Sequence, residues 1–140
     1  MNHPPDPMII ILIVVNAIIF WFLFSRSWLS LAKLYKTNQP PPHNIRRMRQ
    51  GYVGWIRYRG ALNIGITHEG IYLSIMRPFN IGTPPLLIPW RAIDRIEKVT
   101  SFFVQSYRLH LKDNKTTLIL NKEDLEGSQL YYRGQGIELL

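Results

Sequence analysis

The sequence predicts a mainly β protein: an N-terminal transmembrane helix, then a small bent antiparallel barrel, then a short C-terminal helix. Three observations carry that prediction. Met8 to Phe24 reads MIIILIVVNAIIFWFLF, without a charge and with only Asn16 polar. From Gly51 the apolar period changes to two, as in ALNIGIT and IYLSIM. Between the alternating runs stand short clusters of Gly, Pro, Asn and Asp, the residues that turns require.

A helix over Met8 to Phe24 is about 25 Å long at roughly 1.5 Å per residue, against a hydrocarbon core of roughly 30 Å. Extending the span to residue 28, with Arg26 reaching back to the headgroups, closes the gap. Trp21 and Trp28 then suit the downstream interface. A cleaved signal peptide fits less well, because MNHPPDP holds no Lys or Arg and no small-x-small site follows the apolar run. A buried soluble helix fits worse still, since nothing else in the chain is large enough to surround it. The expected organisation is therefore a short extracytoplasmic tail over 1–7, a transmembrane helix over 8–28, a basic juxtamembrane helix and Pro-rich linker over 29–50, and a β domain over 51–140.

Net charge is +8, and its placement matters more than its size. No Asp or Glu occurs from Pro7 to His68, while Arg26, Lys33, Lys36, Arg46, Arg47, Arg49, Arg57 and Arg59 do. The basicity thus belongs next to the apolar segment and argues against a nucleic-acid partner. By the positive-inside rule the N-terminus lies outside and the domain in the cytoplasm, the membrane being the inner membrane if the protein is bacterial. The sequon Asn114-Lys115-Thr116 tests this: in a secretory lumen it accepts a glycan, and in the cytoplasm Asn114 is only a turn residue.

The juxtamembrane run SWLSLAKLYK places Trp28, Leu31, Ala32 and Tyr35 at helical spacing, as in a helix lying along the interface or docking a partner. Pro40, Pro41 and Pro42 are expected to end it as a stiff spacer. Arg26, Lys33, Lys36, Arg46, Arg47 and Arg49 form the basic set expected at the membrane surface. NIRRMRQ reads either as a lipid-binding cluster or as a topogenic signal with a solvated face.

In the domain, GYVGWIRYR is expected to supply one strand, weakened by Gly51 and Gly54. Leu62, Ile64 and Ile66 share a face, as do Ile71, Leu73 and Ile75. With His68-Glu69-Gly70 between them, they predict a hairpin. LLIP is a short buried strand trimmed by Pro84, Pro85 and Pro89, with Trp90 packed just after it. Ile93, Ile96 and Val99 fall at intervals of three, which suggests a helical turn leading into a strand. YRLHLK and TTLILN predict a second hairpin. Asn121 is placed to cap a final helix that Gly127 interrupts, with Leu125 and Tyr132 inward.

The stretches LNIGITHEGIYLSI, LLIPWRAIDRIEKV and YRLHLKDNKTTLIL together resemble the bacterial pleckstrin-homology-like, GRAM-like pattern. They also resemble single-pass proteins carrying EGLYLS…PPLLIPW. The resemblance spans roughly residues 52–121 and implies a bent barrel of two nearly orthogonal sheets, closed at one end by a C-terminal helix. It does not carry phosphoinositide binding with it. The hairpin loop Thr67-His68-Glu69-Gly70 is short and holds Glu69 where cations are expected.

No phosphate loop, HExxH, GxSxG or EF-hand pattern occurs, and there is no cysteine. His3, His43, His68 and His110 are scattered. Asp94 and Glu97 sit among Arg91, Arg95 and Lys98, as on a solvated salt-bridge face. No catalytic residue, metal ligand or cofactor is expected. Arg77, Phe79 and Ile81, in the loop before TPP, are the candidate contact residues, and Trp55 with Arg57, Tyr58 and Arg59 suits a membrane-facing strand. The expected role is a non-catalytic membrane-tethered module that binds a protein segment or lipid headgroups. The alternative is a self-assembling structural subunit of a membrane complex.

Overall fold

The apolar run and the juxtamembrane run form one helix. The computed structural model describes residues 3–77, 79–80, 82–101, 104–112, 115–134 and 136–137. Helix α1 spans Pro7–Tyr35. Asp6 caps it: its Oδ1 accepts from the Met8 amide at 3.0 Å, and Pro7 fits the first turn, where an amide would have no partner. Every residue from Pro7 to Phe24 is exposed, so this part of α1 is an apolar rod that meets the domain only near its end, and the helix is long and apolar enough to cross a membrane. Asn16 turns its amide back onto the Leu12 carbonyl at 2.7 Å.

From Ser25 the same helix becomes part of the domain core. Ser25, Trp28, Leu31 and Tyr35 are buried, Trp28 and Leu31 completely. The expectation of a helix lying along the interface, with Trp28 among headgroups, is corrected here. The stripe repeats every three to four residues because it faces the sheet. The prolines do not end the helix either. It stops at Tyr35, where Lys36 bridges to Leu86 and the Thr37 amide donates to the Pro85 carbonyl at 3.0 Å.

The first strand begins at Arg46, within the stretch expected to be linker. Strands β1 (Arg46–Val53) and β2 (Ile56–Ile66) pair through a tight turn at Gly54 and Trp55, so GYVGWIRYR is not one strand but a hairpin. Gly54 has φ +63°, and a Cβ there would lie 2.6 Å from Ser27 Oγ, so this turn lies against α1. β1 carries two irregularities in register and Met48 at φ 58°. They bend the strand, as bulges do. β2 pairs with β3 (Gly70–Ile75), with Leu62, Ile64 and Ile66 opposite Ile75, Leu73 and Ile71, as the alternation predicts. β4 (Leu86–Pro89) pairs with β3 and is an edge strand, which suits its prolines.

A single 3-10 turn, Trp90–Ala92, leads to β5 (Ile93–Ser101). The spacing of three in Ile93 and Ile96 arises in the strand itself. A register shift between Ile93 and Arg95 flips the alternation and leaves both isoleucines inward. β6 (Val104–Leu111) and β7 (Leu118–Asn121) follow, and β7 pairs with β1. The result is one seven-stranded antiparallel sheet in the order β4-β3-β2-β1-β7-β6-β5. It is a half-barrel, with β4 and β5 left as edges. The final turns of α1 share its apolar core with Leu62, Leu73, Ile88, Leu109 and Leu118.

The C-terminal segment is a 3-10 turn, Lys122–Leu125, and a six-residue helix α2, Gln129–Gly134. Asn121 makes no capping bond. Leu125 and Tyr132 are buried as expected. Tyr131 stacks on Trp90 at 5.8 Å, so α2 covers the corner between β4 and β5.

Candidate functional site

The elements converge where the exposed part of α1 enters the half-barrel. Trp28 donates its indole N–H to the Pro84 carbonyl at 2.8 Å. Tyr58, on β2, meets the rings of Phe24 and Trp28 edge to face, at 5.7 and 6.1 Å. Burial pushes the Tyr58 phenol up to about 12, so it stays protonated. Gly82, at φ +73°, lies against the Trp21 ring, where a Cβ would come within 2.7 Å. Gly82 thus ties the loop before β4 to the helix. Within it the Phe79 amide donates to the Met76 carbonyl at 2.9 Å and the Thr83 amide to the Asn80 carbonyl at 3.1 Å.

Between helix, loop and β2 lies a cavity of about 250 Å³. Trp21 and Phe24 form one wall, Tyr58 and Ile75 another, and Phe79 and Thr83 a third, with Arg57 and Arg59 on its border. Phe79 is 66% exposed and Trp55, at the neighbouring turn, 71%. Arg57, Arg59 and Arg77 are exposed and have no ion-pair partner among the described residues. Thr83 is 8% exposed, and its Oγ1 is buried without a hydrogen-bond partner among the described residues. Aromatic faces, unpaired guanidinium groups and an unused hydroxyl therefore meet at one end of the domain.

The sequence-derived contact residues divide. Arg77 and Phe79 lie on the loop that borders this cavity, Phe79 in its wall. Ile81 lies outside the described residues, as does Asn114 of the sequon. The basic set divides too. Arg26 and Lys33 are exposed, seven residues apart and so on one face of α1, opposite the buried stripe; Lys36 is exposed just past its end. Arg47 is exposed on β1. Arg46 and Arg49 are instead engaged by the 3-10 turn after β7. Arg49 Nε donates to Asp124 Oδ1 at 2.7 Å and its Nη2 pairs with Glu123. Arg46 Nη1 lies 3.3 Å from Asp124 and donates to the Glu123 carbonyl at 2.8 Å. The Asp124 side chain is fully buried, and burial raises its pKa against the opposing pull of Arg49 and Arg46. These two arginines fasten β1 to the C-terminal segment.

His110 and Arg108 both reach Glu97 across the β5–β6 hairpin, at 3.3 and 3.0 Å, and together they hold the Glu97 carboxyl below its usual range. This is the salt-bridge face read from the sequence, with Arg108 and His110 in place of the cations on β5. Among the described residues no three metal-ligating side chains cluster. Sequence reasoning missed the cavity wall contributed by Trp21 and Phe24, since both were assigned to the span alone. The signal lay in Gly82 and Gly54, whose missing side chains make room for α1. Compared with known protein families and with curated proteins, the chain matches none.

Proposed function

We propose that this protein is a non-catalytic, membrane-tethered interaction module whose half-barrel recognises lipid headgroups at the cytoplasmic membrane surface. α1 crosses the membrane with its N-terminus outside, in keeping with the excess of Lys and Arg on its downstream side. The resemblance to pleckstrin-homology-like domains agrees with a binding module, though fold alone assigns no ligand. One observation carries the reading. A single helix is an exposed apolar rod to Phe24 and a core element from Ser25, so the domain cannot swing freely on its anchor. The same junction presents Trp55, Phe79, Arg57, Arg59 and Arg77, the residue types that favour an anionic interface.

On this reading the end of the domain next to the exposed part of α1 faces the bilayer. β2 starts beside Trp28 and the turn that touches Ser27; Gly65, near its far end, touches Pro42. Its 11 residues span about 35 Å at roughly 3.3 Å per residue. The turn holding His68 therefore points away from the membrane. The chain has no cysteine, so single cysteines at 55, 79 and 68 can each carry a fluorophore. In vesicles with 30% anionic lipid, labels at 55 and 79 should be quenched by lipids bearing quenchers near the headgroup, and the label at 68 should not. Equal quenching at all three positions, or none at 55 and 79, would contradict the proposed placement.

A further inference from the structure

We propose that the junction cavity holds one anionic phospholipid taken sideways from the bilayer, with its phosphate at the mouth within reach of Arg57 and Arg59 and its glycerol and upper acyl chain against Trp21, Phe24 and Phe79. This rests on the reading of α1 as the membrane span. The cavity sits where the exposed apolar part of α1 ends, with Trp21 and Phe24 in its wall and Arg26 two residues further on. With α1 in the bilayer, that is the depth of the glycerol and phosphate groups.

The chemistry fits a phospholipid better than a free anion or a peptide. Arg57 and Arg59 are two apart on β2, so their side chains leave one face of the strand about 7 Å apart, opposite the buried Tyr58, and border the cavity's mouth where β2 has not yet paired with β3. A phosphate between them can accept from both guanidinium groups. Neither arginine is neutralised by a carboxylate among the described residues, whereas Arg46, Arg49 and Arg108 are. Thr83 Oγ1 stands unpartnered in the same wall. Apart from Ser25, whose hydroxyl donates to the Trp21 carbonyl, the rest of the wall is mainly aromatic and aliphatic, which suits hydrocarbon. At about 250 Å³ the space takes a headgroup and the start of a chain, not a folded partner.

The test is native mass spectrometry of the full-length protein released from nanodiscs of equal phosphatidylglycerol and phosphatidylcholine. One phosphatidylglycerol should be retained in preference to phosphatidylcholine. The double variant Arg57→Gln/Arg59→Gln should lose that preference by about thirtyfold, while Arg95→Gln/Lys98→Gln, on the edge strand β5, should keep it. Circular dichroism melts check that each variant is folded; both pairs are exposed, so unchanged melting is expected. Equal retention of the two lipids by the wild type would overturn the proposal. So would equal loss in both double variants, which would reduce the effect to overall charge. Full displacement of the lipid by millimolar glycerol phosphate would show a phosphate site without a chain, and a retained protein in its place would show a peptide site; either overturns it. In each case quenching at positions 55 and 79 still decides separately whether the domain faces the membrane.

Discussion

Replacing Trp28 with alanine should loosen the whole domain, although residue 28 belongs to the helix that the sequence assigns to the membrane. The Trp28 side chain is fully buried, packs edge to face on Tyr58 and donates to the Pro84 carbonyl. Truncating a buried Trp costs about 3–5 kcal/mol. Leaving the Pro84 carbonyl without its donor adds about 1 kcal/mol. Against a typical total of about 5–15 kcal/mol, this is a large share. With a urea dependence of about 2 kcal/mol per molar for a domain of this size, the midpoint should fall by about 2–3 M. The assay is urea unfolding of the full-length protein in mild detergent, followed by near-ultraviolet circular dichroism. Phe20→Ala serves as the control: Phe20 is 68% exposed on the apolar rod and should shift domain stability by less than about 0.5 kcal/mol. A Trp28→Ala midpoint within about 0.5 M of wild type would refute the reasoning. So would a Phe20→Ala shift of the same size.

Trp90→Ala should destabilise by about 3–5 kcal/mol, because Trp90 is 3% exposed and its indole N–H donates to the Thr67 carbonyl at 2.8 Å; Phe79→Ala should cost less than about 0.5 kcal/mol, and thermal melts in the reverse order would overturn both assignments. Asp124→Ala should cost about 2 kcal/mol by releasing Arg46 and Arg49, measured by denaturant titration. Asp124 also sets a pH dependence. Its folded-state pKa is raised above the ordinary 3.8, so the native state binds the proton more tightly and stability falls as pH rises from about 3.8 through the folded value. The stability difference between wild type and Asp124→Asn should therefore shift against the wild type over that window in paired denaturant titrations; a flat or opposite trend would refute it. Gly54→Ala should destabilise by about 1 kcal/mol or more, since φ +63° and Ser27 Oγ at 2.6 Å both oppose a side chain, and a neutral result in thermal melts would remove the contact between that turn and α1.

Much of the fold was legible because alternation is a local signal. Leu62, Ile64, Ile71, Leu73, Leu86 and Ile88 face inward as their spacing requires, and the β2–β3 and β6–β7 pairings follow from the turns between them. The errors lie where geometry breaks the simple period. The bulge between Ile93 and Arg95 imitates a helical spacing of three. The hairpin at Gly54 and Trp55 was read as one weak strand, because two glycines in nine residues obscure its turn. In the basic set, nothing local tells Arg46 and Arg49 from Arg47. Their partners, Glu123 and Asp124, lie over 70 residues away in the chain.

The sequence by itself determined that there is one apolar helix, that a mainly β domain follows it, and that positive charge gathers between them. Those properties are written in runs of neighbouring residues. Only the tertiary structure decided that the helix does not stop at the domain's edge but continues into its core. A stripe of Trp28, Leu31 and Tyr35 reads the same whether it faces lipid, a partner or a sheet, because periodicity records that one face is apolar and not what covers it. The covering surface comes from β2, β4 and the loop before β4, brought together by pairings distant in sequence. The cavity between Trp21, Tyr58 and Phe79 exists only once those pairings have formed.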